Sequence, residues 1–264
     1  MFFFKRAFYI ALGAKVLSFI HFFGGVVSLG AQAAVLIPAR PLGGGRILEQ
    51  AKKVGVDSLP IVALVSFFIG VILALQIAYI MLKMSSEIYI ASIVAVALTR
   101  ELGPVITALI VAGRSGAGIT AELGTMAVTE QVDALVTLGS NPIKYLVVPR
   151  LLSMSIMLPV LTIFADAIGI FGGYLIGVYN LSIRSSLYMN MTFQTLVYKD
   201  LFTGLIKTIV FGMIIALVAC YEGLNVRGGA EGVGKATTMS VVNTFIMIIA
   251  ADCFFTALFY FFVK

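Results

Sequence analysis

Of the 264 residues, 61% are hydrophobic and only 11% are charged, and the mean hydropathy is +1.09. Soluble domains are roughly 45–50% apolar and about 25% charged, so a water-soluble fold is excluded and a bilayer must supply the apolar solvent. The net charge of +6 does not call for nucleic acid, because the basic residues collect in loops between apolar runs, as in cytoplasmic loops of membrane proteins.

The chain reads as an all-α integral membrane protein, with an N-terminal segment and linker over 1–57 and a membrane domain over 58–264. The first 37 residues combine a basic start (Lys5, Arg6) with an apolar stretch and Ala31-Gln32-Ala33, which has the form of a signal peptide. Lys15 and His21 interrupt the apolar stretch, so an uncleaved helix lying at the cytoplasmic interface is the better expectation. One histidine without nearby carboxylates or thiols makes no metal site. Pro38 to Asp57 carries Arg40, Arg46, Lys52 and Lys53 around a Gly43-Gly44-Gly45 hinge.

Ser58 to Leu82 is 25 residues without a charge, enough to cross a ~30 Å hydrocarbon core. Further spans are expected over about 88–113, 151–178, 201–221 and 236–263, interrupted by Arg100-Glu101, Asp166, Lys207 and Asp252 respectively. Arg114 to Arg150 reads as a 37-residue polar connection ending in the turn signal Asn141-Pro142. Within it, about 120–139 suits a short amphipathic helix displaying Glu122, Glu130, Gln131 and Asp133. Arg184 to Lys199 suits one short helix at the opposite interface. With the N-terminus inside, twelve Lys and Arg face the cytoplasm against four outside, which predicts N-in and C-out. Cys220 and Cys253 sit in apolar runs without metal or redox spacing and read as buried small hydrophobes.

Gly229 to Ala236 approaches a phosphate-cradling loop, but Ala236 replaces the hydroxyl that would hold magnesium, and the next segment is a membrane span. A flexible glycine-rich turn is expected there. No nucleophile–base pair is present, so the chain reads as no enzyme and as needing no cofactor. Charges inside spans cost about 2.5–3.5 kcal/mol each on insertion scales. Arg100 and Glu101 lie about 20 Å along their span, just before Gly103-Pro104. They point about 100° apart, so at least one must reach a third group, with Lys207, Asp166 and Asp252 as candidates. They mark either a polar spot in a cavity or a structural pair between spans.

The strings Arg100-Glu101-Leu102-Gly103-Pro104, Ala112 to Gly118, Thr120 to Gly124 and Glu130-Gln131-Val132-Asp133-Ala134-Leu135 closely resemble the MlaE/YrbE permease family. Asn141-Pro142, Pro149-Arg150, Lys207, Gly223 and Gly234 to Thr238 add to the resemblance, which covers roughly residues 55 to 264. It implies the permease subunit of an ABC transporter moving phospholipid between inner and outer membranes: a five-span homodimer in the bacterial inner membrane. It also implies a cytoplasmic ATPase docked on the coupling helix between spans two and three, and a periplasmic MCE-domain hexamer. Carried over, Glu122, Glu130, Gln131, Asp133, Ala134 and Leu135 belong to ATPase coupling. Arg100, Glu101 and Lys207, with Leu75, Gln76 and Tyr79 of the first span, belong to the lipid cavity, and Tyr89 is a further interfacial candidate. The competing expectation is an ion-gradient-driven secondary transporter with Glu101 or Asp166 as its proton site.

Overall fold

The computed structural model describes residues 2–38 and 43–262, and among these there are helices and no strands. Arg40 and Lys264, two of the charges behind the expected orientation, lie outside the described residues. Helix α1 (Phe2–Leu36) is followed by the amphipathic α2 (Gly44–Gly55), which starts after Gly43 in the left-handed region, φ 61°. The long helix α3 (Leu59–Lys83) follows. Next come α4 (Ile90–Ala97), α5 (Gly103–Val111) and α6 (Ala117–Val128), joined by the wider π-helical turns Leu98–Leu102 and Ala112–Gly116. Helix α7 (Gln131–Thr137) leads through the π turn Ile143–Val147 into α8 (Val148–Leu175), which ends in another at Ile176–Asn180. The chain closes with α9 (Ser185–Thr195), α10 (Tyr198–Leu224) and α11 (Gly229–Phe262).

Among the described residues, five continuous helices are long and apolar enough to cross a membrane: Gly44–Lys83, Glu87–Val128, Ile143–Asn180, Tyr198–Leu224 and Gly229–Phe261. The count matches the sequence expectation, but the ends differ. The second helix does not stop near Gly113 but runs on to Val128, so the first half of the supposed polar connection is helix. The supposed single helix over 120–139 is two, α6 and α7. They are broken at Thr129 and Glu130, where Glu130 takes φ 58° and turns the chain. The glycine-rich stretch from Gly229 is no flexible turn: it is the first turns of α11, where Lys235 pairs with Glu231 at 2.7 Å. Glycine is a weak helix former, and of the three glycines there only Gly232 is closely approached, by the Arg227 carbonyl, while Gly229 and Gly234 face open space.

Helix α8 is the axis of the bundle, packed by α2, α3, α5 and α10. The main core gathers Leu123, Met154, Leu158, Phe211, Ile215 and Ile248 from α6, α8, α10 and α11. Where backbones cross, small residues make room: a Cβ on Gly70 of α3 would overlap the carbonyl oxygen of Gly169 on α8. This is the close approach by which helices associate in lipid, where hydrophobic burial offers little drive. Helix α9 is anchored by the fully buried Tyr188, whose ring fills the groove left by Gly173 of α8 and Gly177 of the π turn that follows it. The second half of α1 lies on the bundle, with Ala33 buried in the core and Phe22 edge-on to Tyr221 at 5.5 Å. Of the two cysteines, Cys220 is buried as expected while Cys253 is exposed. Cys253 sits on α11, whose most apolar stretch is only 11% buried within the chain.

Candidate functional site

Two π-helical turns place the charges of the second span. A π turn inserts one residue into the ladder and shifts the side chains after it around the axis. At Leu98–Leu102 this sends Glu101 inward to α10 and Arg100 towards the start of α10. Lys207 is the best-buried charge among the described residues, its side chain 1% exposed. Its Nζ donates to Glu101 Oε2 at 2.6 Å, to Asp252 Oδ1 at 2.9 Å and to Thr256 Oγ1 at 2.8 Å. An ammonium has three protons and here finds three acceptors, so the lysine is saturated by its own chain. Thr256 in turn donates to Glu101, 3.2 Å from Oε2. The cluster ties α10 to α11 and to the π turn of the second span, and it combines two carboxylates with one amine.

Arg100 has a different environment. It remains 44% exposed and meets Asp200 at only 3.8 Å, a long contact. Arg100 and Glu101 line one side of an open groove of about 520 Å³. Ile93, Val96 and Ala97 of the second span, Thr195 of α9 and Thr256 of α11 complete it. The groove is mostly apolar with one available cation. The structure therefore brings Arg100, Glu101 and Lys207 together and divides their work: Arg100 is open to a ligand, whereas Lys207 is occupied. Leu75, Gln76 and Tyr79 are not in this groove. They lie exposed on α3, where Tyr79 accepts a hydrogen bond from Lys83 at 2.9 Å, and Tyr89 is also exposed.

Thr256 and Asp200 were not singled out from sequence. Thr256 had a usable signal, since it follows Asp252 by four residues and must share its helix face. Asp200 had none, because its partner is 100 positions away.

At the other end of the bundle, α7 has no buried residue. Glu130, Gln131, Asp133 and Ala134 are exposed, while Val132 and Leu135 are half-buried and pack on the core. The helix thus offers acid and amide groups on one side and holds to the bundle by the other. Glu122 is separate from this surface. It pairs at 2.9 Å with Arg150 of α8, which is buried and also donates to the Leu146 carbonyl at 2.8 Å. Arg114, in the second π turn, donates to Ser58 at 3.0 Å and fastens the base of α3 to the start of α6. The helical hairpin carrying α7 is therefore braced by charged ties to α3 and α8. No group of metal-ligating side chains occurs among the described residues.

Five bilayer-length helices among the described residues, a charged cluster inside them and an exposed polar helix at one end define a multi-span helical membrane protein. Residues 47–258 match the family described as Permease MlaE. A probable ABC transporter permease protein of Rickettsia bellii is 48% identical over 235 residues, 89% of this chain and 90% of the relative. One from Rickettsia conorii is 45% identical over 252 residues, 95% of this chain and 96% of the relative. One from Synechocystis sp. is 40% identical over 207 residues, 78% of this chain and 79% of the relative. The chain belongs to the MlaE permease family and is the permease subunit of an ABC transporter. In such a transporter ATP hydrolysis belongs to a partner ATPase subunit.

Proposed function

We propose that this permease moves phospholipid between the inner and outer membranes of a bacterial envelope. The observation that carries this reading is the groove beside the second span: an apolar surface with one ligand-accessible guanidinium, Arg100, set beside a closed charge cluster. Acyl chains fit the apolar wall, and a planar guanidinium suits a phosphodiester, to which it donates two parallel hydrogen bonds. The groove is open on one side, as expected if a second copy of the chain completes it. The exposed apolar residues of α3 (Ile61, Leu64, Phe68, Ile72) and of α11 (Ile246, Ile249, Phe254) supply surface for such a homodimer.

In this reading the N-terminus is cytoplasmic and the C-terminus periplasmic. The ATPase docks on α7 through Glu130, Gln131, Asp133 and Ala134, while Leu135 holds the helix to the core, and a periplasmic MCE-domain hexamer receives or delivers lipid at the α9 end. ATP-driven movement of the partner pulls on the braced α6–α7 hairpin. The second span, continuous from Glu87 to Val128, transmits that movement to Arg100 and Glu101. A shift of this kind changes the groove only if the two states hold lipid with different affinity.

The test is purification of the tagged permease from its native membrane with identification of co-eluting protein and lipid. Phospholipid, an ATPase and an MCE-domain protein are expected in the wild-type eluate, with phospholipid reduced in Arg100→Ala. Equal phospholipid in both would remove the groove from the transport path.

A further inference from the structure

A second cavity of about 640 Å³ lies between α8 and α9 and shares no residue with the Arg100 groove. Thr99 lines it from the same π turn that sends Arg100 and Glu101 into the groove. Its volume falls within the ~300–1,000 Å³ of small-molecule sites. Its walls are mostly apolar, and Ile163, Phe171 and Phe193 at its edge are exposed on the outside of the bundle, where a bilayer would lie. On this wall sits Asp166, only 5% exposed.

Asp166 has no partner. It makes no hydrogen bond or ion pair among the described residues, and its Oδ1 is fully buried and unsatisfied. Oδ1 is the oxygen pressed against Gly103, where any Cβ would overlap it, so the backbone of the second span holds the carboxyl in place. Oδ2, which is not fully buried and also lacks a hydrogen bond among the described residues, is the oxygen a donor in the cavity can reach. The other polar groups of the cavity are already committed. Thr99 donates to the Ala95 carbonyl at 3.0 Å and Thr192 to the Tyr188 carbonyl at 3.0 Å, while Tyr174 and Ser185 bond each other at 2.9 Å. Lys207 is saturated elsewhere. A buried polar group normally finds a partner because leaving it unpaired costs stability, and none of the described residues supplies a donor to Asp166, which leaves its Oδ2 open to one from outside the chain.

We propose that this cavity is a second lipid-chain site, separate from the transport groove, for an amphiphile with a long apolar body and one hydroxyl that donates to Asp166. A hydroxyl brings one proton and suits a lone carboxyl among apolar walls. An ammonium brings three and would leave protons unpaired in the same place. The apolar body lies along Ile170, Phe171, Met189 and Phe193, reached sideways from the bilayer.

The experiment photolabels the purified full-length permease complex in nanodiscs with a diazirine-bearing long-chain alcohol and, separately, with its methyl ether, which lacks the donor. Labelled peptides are mapped by mass spectrometry. The alcohol is expected to label α8 and α9 roughly tenfold more than the ether, as one buried hydrogen bond allows. Asp166→Leu should reduce alcohol labelling to the ether level. Met189→Trp, which fills the cavity and leaves Asp166 untouched, should reduce both, and it keeps the test open if Asp166→Leu does not fold. Equal labelling by alcohol and ether overturns the proposal, as does labelling that survives either variant. The readout does not depend on what the permease transports, so its failure is distinct from failure of the phospholipid reading.

Discussion

Replacing Lys207 by Met keeps most of the side-chain volume and removes the amine that three helices share. In the wild type, Nζ holds Glu101 at 2.6 Å and Asp252 at 2.9 Å with the lysine itself out of contact with solvent. Removing one partner of a buried ion pair costs about 3–5 kcal/mol, because the other charge stays buried without compensation. Two carboxylates are left here, but Glu101 is 35% exposed at the groove and Asp252 20% exposed, so part of their hydration is retained. The low end, about 3 kcal/mol, is therefore expected, a roughly hundredfold drop in the folding equilibrium. Steric-trap unfolding in bicelles reads this directly. The triple change Lys207→Met, Glu101→Gln, Asp252→Asn should recover most of the loss, since neutral partners leave no orphan charge. A Lys207→Met loss under about 1 kcal/mol, or no recovery in the triple variant, would falsify the closed-cluster argument.

Four further outcomes follow from the geometry. Glu130→Lys or Asp133→Lys should abolish co-purification of the ATPase while the permease still inserts; retained ATPase would remove α7 from the docking surface. Gly70→Ala should destabilise the bundle by about 1–3 kcal/mol through overpacking, because the Gly169 carbonyl it would meet is backbone and cannot swing away; a neutral result in the same unfolding assay would contradict the close crossing of α3 and α8. Arg150→Met should leave ATPase binding intact but weaken the dependence of ATP hydrolysis on lipid, since the tie to Glu122 that braces α6 is lost; unchanged dependence in a nanodisc ATPase assay would make that tie purely structural. Burial pushes the Tyr188 hydroxyl up to about 12. The folded state thus favours the neutral phenol, its stabilisation is complete below pH ~10, and it is lost as pH rises towards 12. Tyr188→Phe should flatten that part of the pH–stability curve, and an identical alkaline slope would argue against the burial.

Much of the architecture was legible because membrane insertion is a local, compositional matter. A run such as Ser58 to Leu82 has to lie in lipid wherever the rest of the chain goes, so the number of spans followed from hydropathy alone. The in-span charges were visible for the same reason, and the 100° between neighbours on a helix already required Glu101 or Arg100 to find a third group. Both do: Glu101 reaches Lys207 and Arg100 reaches Asp200. The ends of the helices were less legible. Arg114 read as the start of a polar connection because it is charged, yet it continues the helix of the second span, where Ser58 receives its guanidinium. Gly229 to Gly234 read as a turn because glycine is a weak helix former, yet the segment opens α11, where Glu231 and Lys235 pair one turn apart.

The sequence by itself determined that this protein lives in a membrane, how many times it can cross, and which charges need partners there. Only the tertiary structure decided which partners they have. Lys207 is joined to residues 106, 45 and 49 positions away, and the buried Oδ1 of Asp166 to none among the described residues. Hydropathy acts on each segment against the solvent, whereas an ion pair depends on which helices stand side by side. That arrangement is set by small-residue crossings such as Gly70 on Gly169, where van der Waals packing rather than composition chooses the neighbour.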